Sequence, residues 1–162
     1  MAKFLTLNTH SWMEEEQETK LNQLAERILQ EKYDVICLQE VNQLMESEQV
    51  VQAPFYQAVE GAIAIHQDHF ALCLVKKLAE AGLDYHWSWA YNHIGFDIYN
   101  EGVTILSKNP LTPKEVLVSE VNDPRDYHTR KVLLAETEVE GQLMTIASCH
   151  LSWWDKGFQG EW

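Results

Sequence analysis

The sequence predicts an α/β protein, because helix and strand patterns alternate in its first half and strand patterns fill its second half. An alternating apolar and polar segment (Lys3–Asn8), an amphipathic segment with helical spacing (Gln17–Lys32) and a continuous apolar run (Val35–Leu38) follow one another. Alternation indicates a strand half-buried on one face, whereas the apolar run indicates a strand covered on both faces. The order is that of a β-α-β unit with parallel strands and a right-handed crossover.

A second helix is predicted over Asp68–Ala81, with Asp68 as its N-cap and Gly82 as its C-cap. Between the β-α-β unit and this helix, residues Leu44–Gln67 show no periodicity and contain Pro54 and Gly61. This region is therefore predicted to be an insertion or a long loop.

Strand patterns follow Gly82 up to the last apolar run of the sequence. They cover Tyr85–Tyr91, Gly102–Ser107, Val116–Val118, Lys131–Glu138 and Leu143–His150. The last two are separated by Glu140-Gly141, which predicts a hairpin turn. No repeats or low-complexity tracts divide the sequence, so we expect one domain.

Composition excludes several classes of protein. The chain has 162 residues, is 46 % hydrophobic and carries 12 basic against 25 acidic side chains, which gives a formal charge of −13. Collagen-like, disordered and disulfide-scaffold classes do not have this composition. No apolar stretch approaches the ~20 residues that cross a bilayer, and the N-terminus has no secretory apolar region. We therefore predict a cytoplasmic protein that does not bind membranes.

The net charge of the chain bears on its binding partners. A charge of −13 repels a phosphodiester polymer unless a local basic groove offsets it, and the sequence shows no such groove. Nucleic acid is therefore disfavoured as a partner.

Cys37, Cys73 and Cys149 are widely separated, and each lies in an apolar run without zinc-ligand spacing. They are predicted to be reduced core residues.

Two polar residues lie at the ends of the first two predicted strands. Asn8 ends the first, and Glu40 lies just past the end of the second. Adjacent parallel strands that end at one edge bring their terminal side chains together, in the crevice where open α/β sheets bind ligands. An amide oxygen and a carboxylate form an oxygen-only site that suits Mg²⁺ or Mn²⁺. From these residues alone, an ordinary strand end for Glu40 and a turn residue for Asn8 stay open.

A second polar pair lies near the C-terminal hairpin. His150 ends the last apolar strand, and Arg130 opens the strand that pairs with it. A cation and a hydrogen-bonding group facing a metal-bound anion suit phosphoryl transfer, because charge accumulates on the non-bridging oxygens. A surface Arg and a half-buried His are the structural alternative.

Five segments, taken in order, resemble the endonuclease/exonuclease/phosphatase superfamily. They are LTLNTH (Leu5–His10), DVICLQEVNQ (Asp34–Gln43), NEGVTILSKNPL (Asn100–Leu111), TRKVLLAETEV (Thr129–Val139) and MTIASCHLSWW (Met144–Trp154). Its members include deoxyribonucleases, abasic-site nucleases, neutral sphingomyelinases and inositol-phosphate phosphatases. The resemblance covers nearly the whole chain apart from the Leu44–Gln67 region.

The resemblance implies a fold and a set of roles. The fold is the α/β sandwich of the superfamily, with mixed β-sheets packed face to face and helices outside. Asn8 and Glu40 match the residues that help to hold the catalytic Mg²⁺ (or Mn²⁺). His150 matches the residue that contacts the scissile phosphate, and Arg130 is placed near the substrate. These two are expected to be catalytic, stabilising the pentacoordinate phosphorus while water attacks it.

Within the superfamily, the motifs NTHSW, YNEGVTILSK and HLSWW resemble the maltose 6′-phosphate phosphatase branch. This implies a small phosphorylated substrate such as a sugar phosphate, bound by His10, His93, Asp97 and Trp153. Aromatic side chains of Tyr85–Tyr91 either stack on a sugar or base, or pack between layers. A nuclease, a phosphodiesterase acting on DNA or a sphingomyelin-like lipid, and a non-catalytic fragment or binding module remain the alternatives.

The chain departs from the superfamily pattern at its C-terminal end. The family's Asp-x-Asn block, a later metal-binding Asp and the final Asp-His pair have no match. Residues 1–162 are therefore expected to form the N-terminal portion of an incomplete domain, inactive in isolation. The sheet containing Val35–Leu38 and Gly102–Ser107 is expected to leave one apolar face uncovered. Further chain, or a second copy of the protein, would cover that face.

Overall fold

The computed structural model describes residues 1–152 of the chain. Its helices and strands, in chain order, are β1 (Phe4–Asn8), a 3₁₀ turn (Ser11–Met13), α1 (Gln17–Glu31), β2 (Val35–Leu44), α2 (Phe70–Glu80), β3 (His86–Gly95), β4 (Tyr99–Ser107), β5 (Thr112–Leu117), β6 (Lys131–Val139) and β7 (Gln142–Ser148). Every predicted strand and both predicted helices are present, with shifted ends. Residues 45–69 form the predicted long loop.

Four strands form the first sheet, in the order β1-β2-β4-β3. β1 and β2 are parallel and joined by α1, as the β-α-β prediction requires, whereas β4 runs antiparallel to both β2 and β3. α1 forms because Leu21, Ala25 and Ile28 recur at helical spacing and are buried against the sheet. Lys32, in the left-handed conformation at φ 53°, ends the helix.

α2 ends as predicted but begins differently. Gly82 adopts φ 83°, and the Leu83 amide donates to the Leu78 carbonyl, which is the glycine-terminated helix end expected from the sequence. The prediction of Asp68 as N-cap is wrong, because its side chain makes no capping bond and the helix begins at Phe70. The Asp68 carboxylate instead accepts the Leu44 amide at 2.8 Å, so it secures the end of β2.

The second sheet is antiparallel, in the order β5-β6-β7. β6 and β7 form the predicted hairpin around Glu140 and Gly141, whose φ values are 50° and 78°. Positive φ at both central residues is the geometry of the tight turns that match the twist of paired strands.

Both faces of the first sheet are covered, so the expectation of an uncovered apolar face is wrong. α1 and α2 cover one face, where Ile36 and Leu38 are fully buried. On the other face Val103 and Ile105 pack with Leu133 of β6. The second sheet, which the sequence was expected to lack, is therefore supplied by β5–β7 of this chain. The described structure has three layers, with helices, sheet and sheet.

Exposed apolar side chains occur instead at strand edges. β1 and β7 are edge strands, and Phe4, Leu7, Leu143 and Met144 on them are exposed by 48 %, 38 %, 73 % and 37 %. Because edge strands carry unpaired backbone groups, these two strands, with their exposed apolar side chains, are candidates for self-association of the chain. Self-association stays a prediction. No helix in residues 1–152 is long and apolar enough to cross a membrane.

The cysteines are free within the described structure, but only two are shielded. Cys37 and Cys73 are partly buried, and burial raises the pKa of the Cys37 thiol to about 11. The prediction of a core position is wrong for Cys149, which is exposed because it follows the edge strand β7.

The aromatic residues at alternate positions of β3 pack inside the protein. Tyr85, Trp87 and Trp89 are buried, and the imidazole of His69 lies against Trp87 and Trp89 with ring centroids 5.1 and 4.6 Å apart. Neither ring nitrogen of His69 has a hydrogen-bond partner within the described residues. Burial, aided by His66, therefore lowers the pKa of His69 to about 3.

Two β-bulges converge on Gly102. One lies between Leu38 and Val41 on β2, and the other lies between Tyr91 and His93 on β3. A Cβ at Gly102 would collide with the Ala90 carbonyl oxygen and lie 2.8 Å from the Trp89 indole nitrogen. The three strands can approach this closely only because the central residue has no side chain.

Gly102→Ala should therefore lower the free energy of unfolding by roughly 3 kcal/mol, because backbone atoms cannot move aside. Gly95→Ala is the matched control: its Cβ would meet only the flexible Glu101 carboxylate, at 3.1 Å. It should cost about 1 kcal/mol or less. Urea denaturation followed by circular dichroism measures both, and equal losses would contradict the close approach at Gly102.

The low pKa of His69 makes stability depend on pH. Unfolded His69 takes up a proton as the pH falls below about 6.5, whereas the folded residue stays neutral until about 3. Its contribution to stability is therefore complete above pH 6.5 and is lost progressively below it. His69→Leu should reduce the loss of unfolding free energy between about pH 7.5 and pH 5 by about 1–2 kcal/mol. Urea denaturation at both pH values checks this, and an unchanged loss would show that His69 is protonated when folded.

Candidate active site

Asn8 and Glu40 meet at one end of the first sheet. Asn8 is the last residue of β1, and its amide donates to the Glu40 carboxylate, with Nδ2 2.9 Å from Oε1. Glu40 does not follow the second strand as predicted. It lies inside β2, in the bulge, with a left-handed φ of 54°. The bulge turns the Glu40 side chain toward Asn8, which regular alternation along the strand would not specify.

Polar residues after β1 hold the strained backbone of Glu40. The Ser11 hydroxyl donates to the Glu40 carbonyl at 2.6 Å, and the Thr9 hydroxyl donates to the preceding carbonyl of Gln39 at 2.9 Å. A non-glycine residue at positive φ costs of order 1–3 kcal/mol and persists where its surroundings fix it. The Thr9 and Ser11 hydroxyls provide that fixation.

His150 reaches the same carboxylate from the second sheet. Its Nε2 lies 3.6 Å from Oε1 of Glu40. Ser148 attaches the end of β7 to β2. Its hydroxyl donates to the Leu38 carbonyl at 3.4 Å and accepts a hydrogen bond from the side-chain amide of Gln39 at 3.5 Å. Packing of one sheet on the other thus brings His150 to a residue distant in the sequence.

Arg130 lies immediately before β6 and is only 5 % exposed. Its backbone amide donates to the Ser119 hydroxyl at 2.8 Å, and its carbonyl accepts the Val118 amide at 3.0 Å. The next amide, of Lys131, donates to the Asn92 side chain in the β3 bulge at 3.0 Å. These bonds fix the backbone at Arg130, and the Arg130 charge acts on Glu101 and His93.

Glu101 on β4 is a site residue that the sequence analysis did not select. It lies between Asn42 of β2 and His93 of β3 in the strand register, and it is 9 % exposed. Burial and the nearby Glu40 charge raise its pKa, while Arg130 opposes that effect. The signal was present in the sequence, since a carboxylate directly precedes the buried Gly102–Ser107 strand.

His93 lies in the same row, with its Nε2 3.6 Å from Oε1 of Glu101. Burial is the main cause that lowers the His93 pKa to about 4, and the Arg130 charge lowers it further. The imidazole is therefore neutral at pH 7, and His93 can both donate and accept a hydrogen bond.

Similar proteins share this architecture. The model of the Endonuclease/Exonuclease/phosphatase family matches residues 12–159. The chain belongs to that family. A family member from Leptotrichia buccalis C-1013-b has a solved structure with 32 % identity and a TM-score of 0.82, covering 94 % of this chain and 54 % of the other. The chain thus spans about half the length of that relative. None of the curated proteins compared with the sequence matches it.

Two more distant solved structures share the fold. D. rerio TDP2, complexed with single-strand DNA product, has 14 % identity and a TM-score of 0.57, covering 98 % of this chain and 49 % of the other. Sphingomyelinase C from Streptomyces griseocarneus has 15 % identity and a TM-score of 0.52, covering 95 % and 49 %. Family members are phosphoesterase hydrolases, so the comparisons support this reaction class and leave the substrate open.

The remaining predicted substrate-binding residues lie in different places. His10 follows β1 at φ 51°, with its backbone amide donating to the Asn8 side chain at 3.1 Å, so it borders the site. Asp97 lies exposed in the β3–β4 turn at φ 63°, and within residues 1–152 it makes no hydrogen bond or ion pair with the other predicted site residues. Trp153 lies outside the described residues. All three assignments stay predictions.

The bond between Arg130 and Ser119 can be tested through stability. Ser119→Ala leaves the buried Arg130 amide without its acceptor and should lower the free energy of unfolding by about 1–3 kcal/mol. Ser88→Ala is the matched control, because the Ser88 hydroxyl is buried without a hydrogen-bond partner in the described structure. Its removal should change stability by less than about 0.5 kcal/mol. Urea denaturation compares the two, and equal effects would contradict the role of Ser119.

Proposed function

We propose that this protein is a metal-dependent phosphomonoesterase that hydrolyses a small sugar phosphate such as maltose 6′-phosphate. The observation that carries the proposal is the convergence of Asn8, Glu40 and His150, whose side chains come from both sheets. Buried Arg130 adds a fixed positive charge beside them. A hard oxygen site next to a cation and an imidazole suits a phosphate group, because each can neutralise or hydrogen-bond its oxygens.

The residues at this site fit Mg²⁺ or Mn²⁺. One Glu40 oxygen accepts the Asn8 amide, which orients both side chains. The other carboxylate oxygen and the second lone pair of the Asn8 oxygen, whose first accepts the His10 amide, could bind a cation. Mg²⁺ takes one or two carboxylates and completes its shell with waters and substrate oxygens. Within residues 1–152 no group of three or more His, Cys, Asp or Glu side chains is arranged to hold a metal. When bound, the ion would lower the pKa of a coordinated water and offset phosphate charge.

The protein's own residues supply the other requirements. Arg130 would bind a phosphate oxygen, and His150 would hydrogen-bond another oxygen while Glu40 orients its imidazole; the 3.6 Å contact between His150 and Glu40 supports this role. Burial of Arg130 strengthens its attraction for an anion, since solvent screens it less. Substrate entering from the side of Asn8 would displace water from around both groups.

Charge favours a small substrate over a polymer. The formal charge is −13, and carboxylates of Glu14, Glu40 and Glu101 lie near His10 and Arg130 around the site. A long polyanion would meet repulsion beyond the single phosphate that the site neutralises. Cleavage of DNA, as the name of the D. rerio TDP2 complex suggests for that protein, or of a lipid phosphodiester is the alternative outcome of the test below.

Hydrolysis of a substrate panel by the full-length gene product tests the proposal. With Mg²⁺, phosphate release from maltose 6′-phosphate and glucose 6-phosphate should exceed release from AMP, and supercoiled DNA should stay intact. Raising NaCl from about 50 to 200 mM should change the rate by less than about threefold, because one phosphate is bound. Nicking of DNA with a steep salt dependence would overturn the substrate assignment, and no hydrolysis of any ester would overturn the enzyme assignment.

Glu40→Gln should lower turnover on the sugar phosphates by at least about 100-fold, because it removes the charge that holds the ion. Folding should be unaffected, since β2 is held by the buried side chains of Val35, Ile36 and Leu38. Calorimetric Mg²⁺ titration should show weakened binding in the same variant. Glu136→Gln, which changes an exposed carboxylate on β6, is the control for net charge. Loss of folding with Glu40→Gln would instead make this residue structural.

A further inference from the structure

A row of three polar side chains crosses the first sheet beside the proposed phosphate site. Asn42, Glu101 and His93 are partners in register on β2, β4 and β3. Their exposed fractions are 0 %, 9 % and 6 %. Glu101 directly precedes Gly102 on β4. Beside Gly102, the bulges on β2 and β3 shift the pairing of these two strands with β4.

The row has hydrogen-bonding capacity that the protein does not use. Both amide atoms of Asn42 and Nδ1 of His93 are buried without a hydrogen bond of good geometry within the described residues. Asn42 nevertheless lies close enough to Glu101 to lower its pKa, and the Thr129 backbone acts on His93. The Glu101 and His93 side chains are 3.6 Å apart, so they attract each other but do not complete a good hydrogen bond. Buried polar atoms are nearly always paired in proteins, so a cluster of unpaired ones points to a ligand.

The backbone makes room for this carboxylate. Gly95 lies against Glu101, and a Cβ there would come within 3.1 Å of Oε2. The Glu101 side chain keeps 11 % of its surface exposed, so a ligand can reach it. The charges of Glu40, Arg130 and His10 all act on Glu101, which places it between the proposed metal and phosphate residues.

We propose that Glu101, which lies between Asn42 and His93 in the sheet, forms a subsite that binds hydroxyl groups of the substrate next to its phosphate. This proposal rests on the proposed function and specifies how a sugar phosphate would be recognised. A carboxylate repels the phosphate itself, whereas a hydroxyl donates to a carboxylate and accepts from an amide or imidazole. Adjacent hydroxyls of a sugar therefore match the acceptors and donors that the row offers.

Calorimetric binding measurements on the full-length gene product with Mg²⁺ test the subsite separately from catalysis. The probes are glucose 6-phosphate, which carries hydroxyls, and phenyl phosphate, which does not. Glu101→Gln should weaken binding of glucose 6-phosphate by about tenfold or more, because a charge-assisted hydrogen bond is lost. Binding of phenyl phosphate should change by less than about threefold. Glu136→Gln should alter neither affinity.

Gly95→Ala provides a second variant that keeps the Glu101 charge and displaces the carboxylate. This variant should weaken the binding of glucose 6-phosphate and leave the binding of phenyl phosphate unchanged. Circular dichroism verifies that both variants fold. Equal weakening of the two probes, or no change in either, would overturn the subsite, as would equal affinity of the unaltered protein for both. Selective binding without hydrolysis of any ester would overturn the proposed function while supporting the subsite.

Discussion

The close approach of three strands at Gly102 is the constraint on which the site depends. Because this residue has no Cβ, β2 and β3 can each place a bulge beside it. The bulge on β2 turns Glu40 toward Asn8. The bulge on β3 supplies Asn92, which holds the amide next to Arg130. Proposed metal and phosphate groups are thus positioned by one backbone feature, and the strain at Glu40 is the cost of that arrangement.

Negatively and positively charged side chains lie close together at the site, and most of their surface is buried. Burial, together with the Glu40 charge, raises the pKa of Glu101, and Arg130 opposes this shift. Burial, together with the Arg130 charge, lowers the pKa of His93 and keeps its imidazole neutral. A buried cation among carboxylates attracts an anion only if those carboxylates are otherwise engaged. Glu40 is engaged by Asn8 and His150, whereas the Glu101 and His93 side chains lie 3.6 Å apart and attract each other without completing a good hydrogen bond.

Sequence patterns predicted the elements well because burial sets their periodicity. α1 and the apolar core of β2 follow directly from Leu21, Ile28 and Ile36, each fully or almost fully buried. The positions of Asn8 and Glu40 at neighbouring strand ends predicted that they lie together, and the resemblance identified the family. The face-to-face packing of two sheets, implied by the resemblance, is confirmed. The expected uncovered face was wrong, since nothing local in the sequence of β5–β7 indicates which face of the first sheet these strands cover. Glu101 was not predicted as a site residue, because its role depends on Asn42 and His93. These residues lie 59 and 8 positions away in the sequence and become its neighbours only in the folded sheet.

The proposed site joins two edge strands of the sandwich. Asn8 ends β1 and His150 follows β7, and these strands lie on the same flank, where Gln39 links Thr6 and Ser148 across the layers. Edge strands open locally more readily than central ones, since one side of each lacks a partner. A phosphate ester held by His150 and by a metal ion bound at Glu40 would tie the two sheets together at this flank. Substrate binding and closure of the sandwich edge would therefore reinforce each other, because any ligand that binds only the closed arrangement shifts the equilibrium toward it.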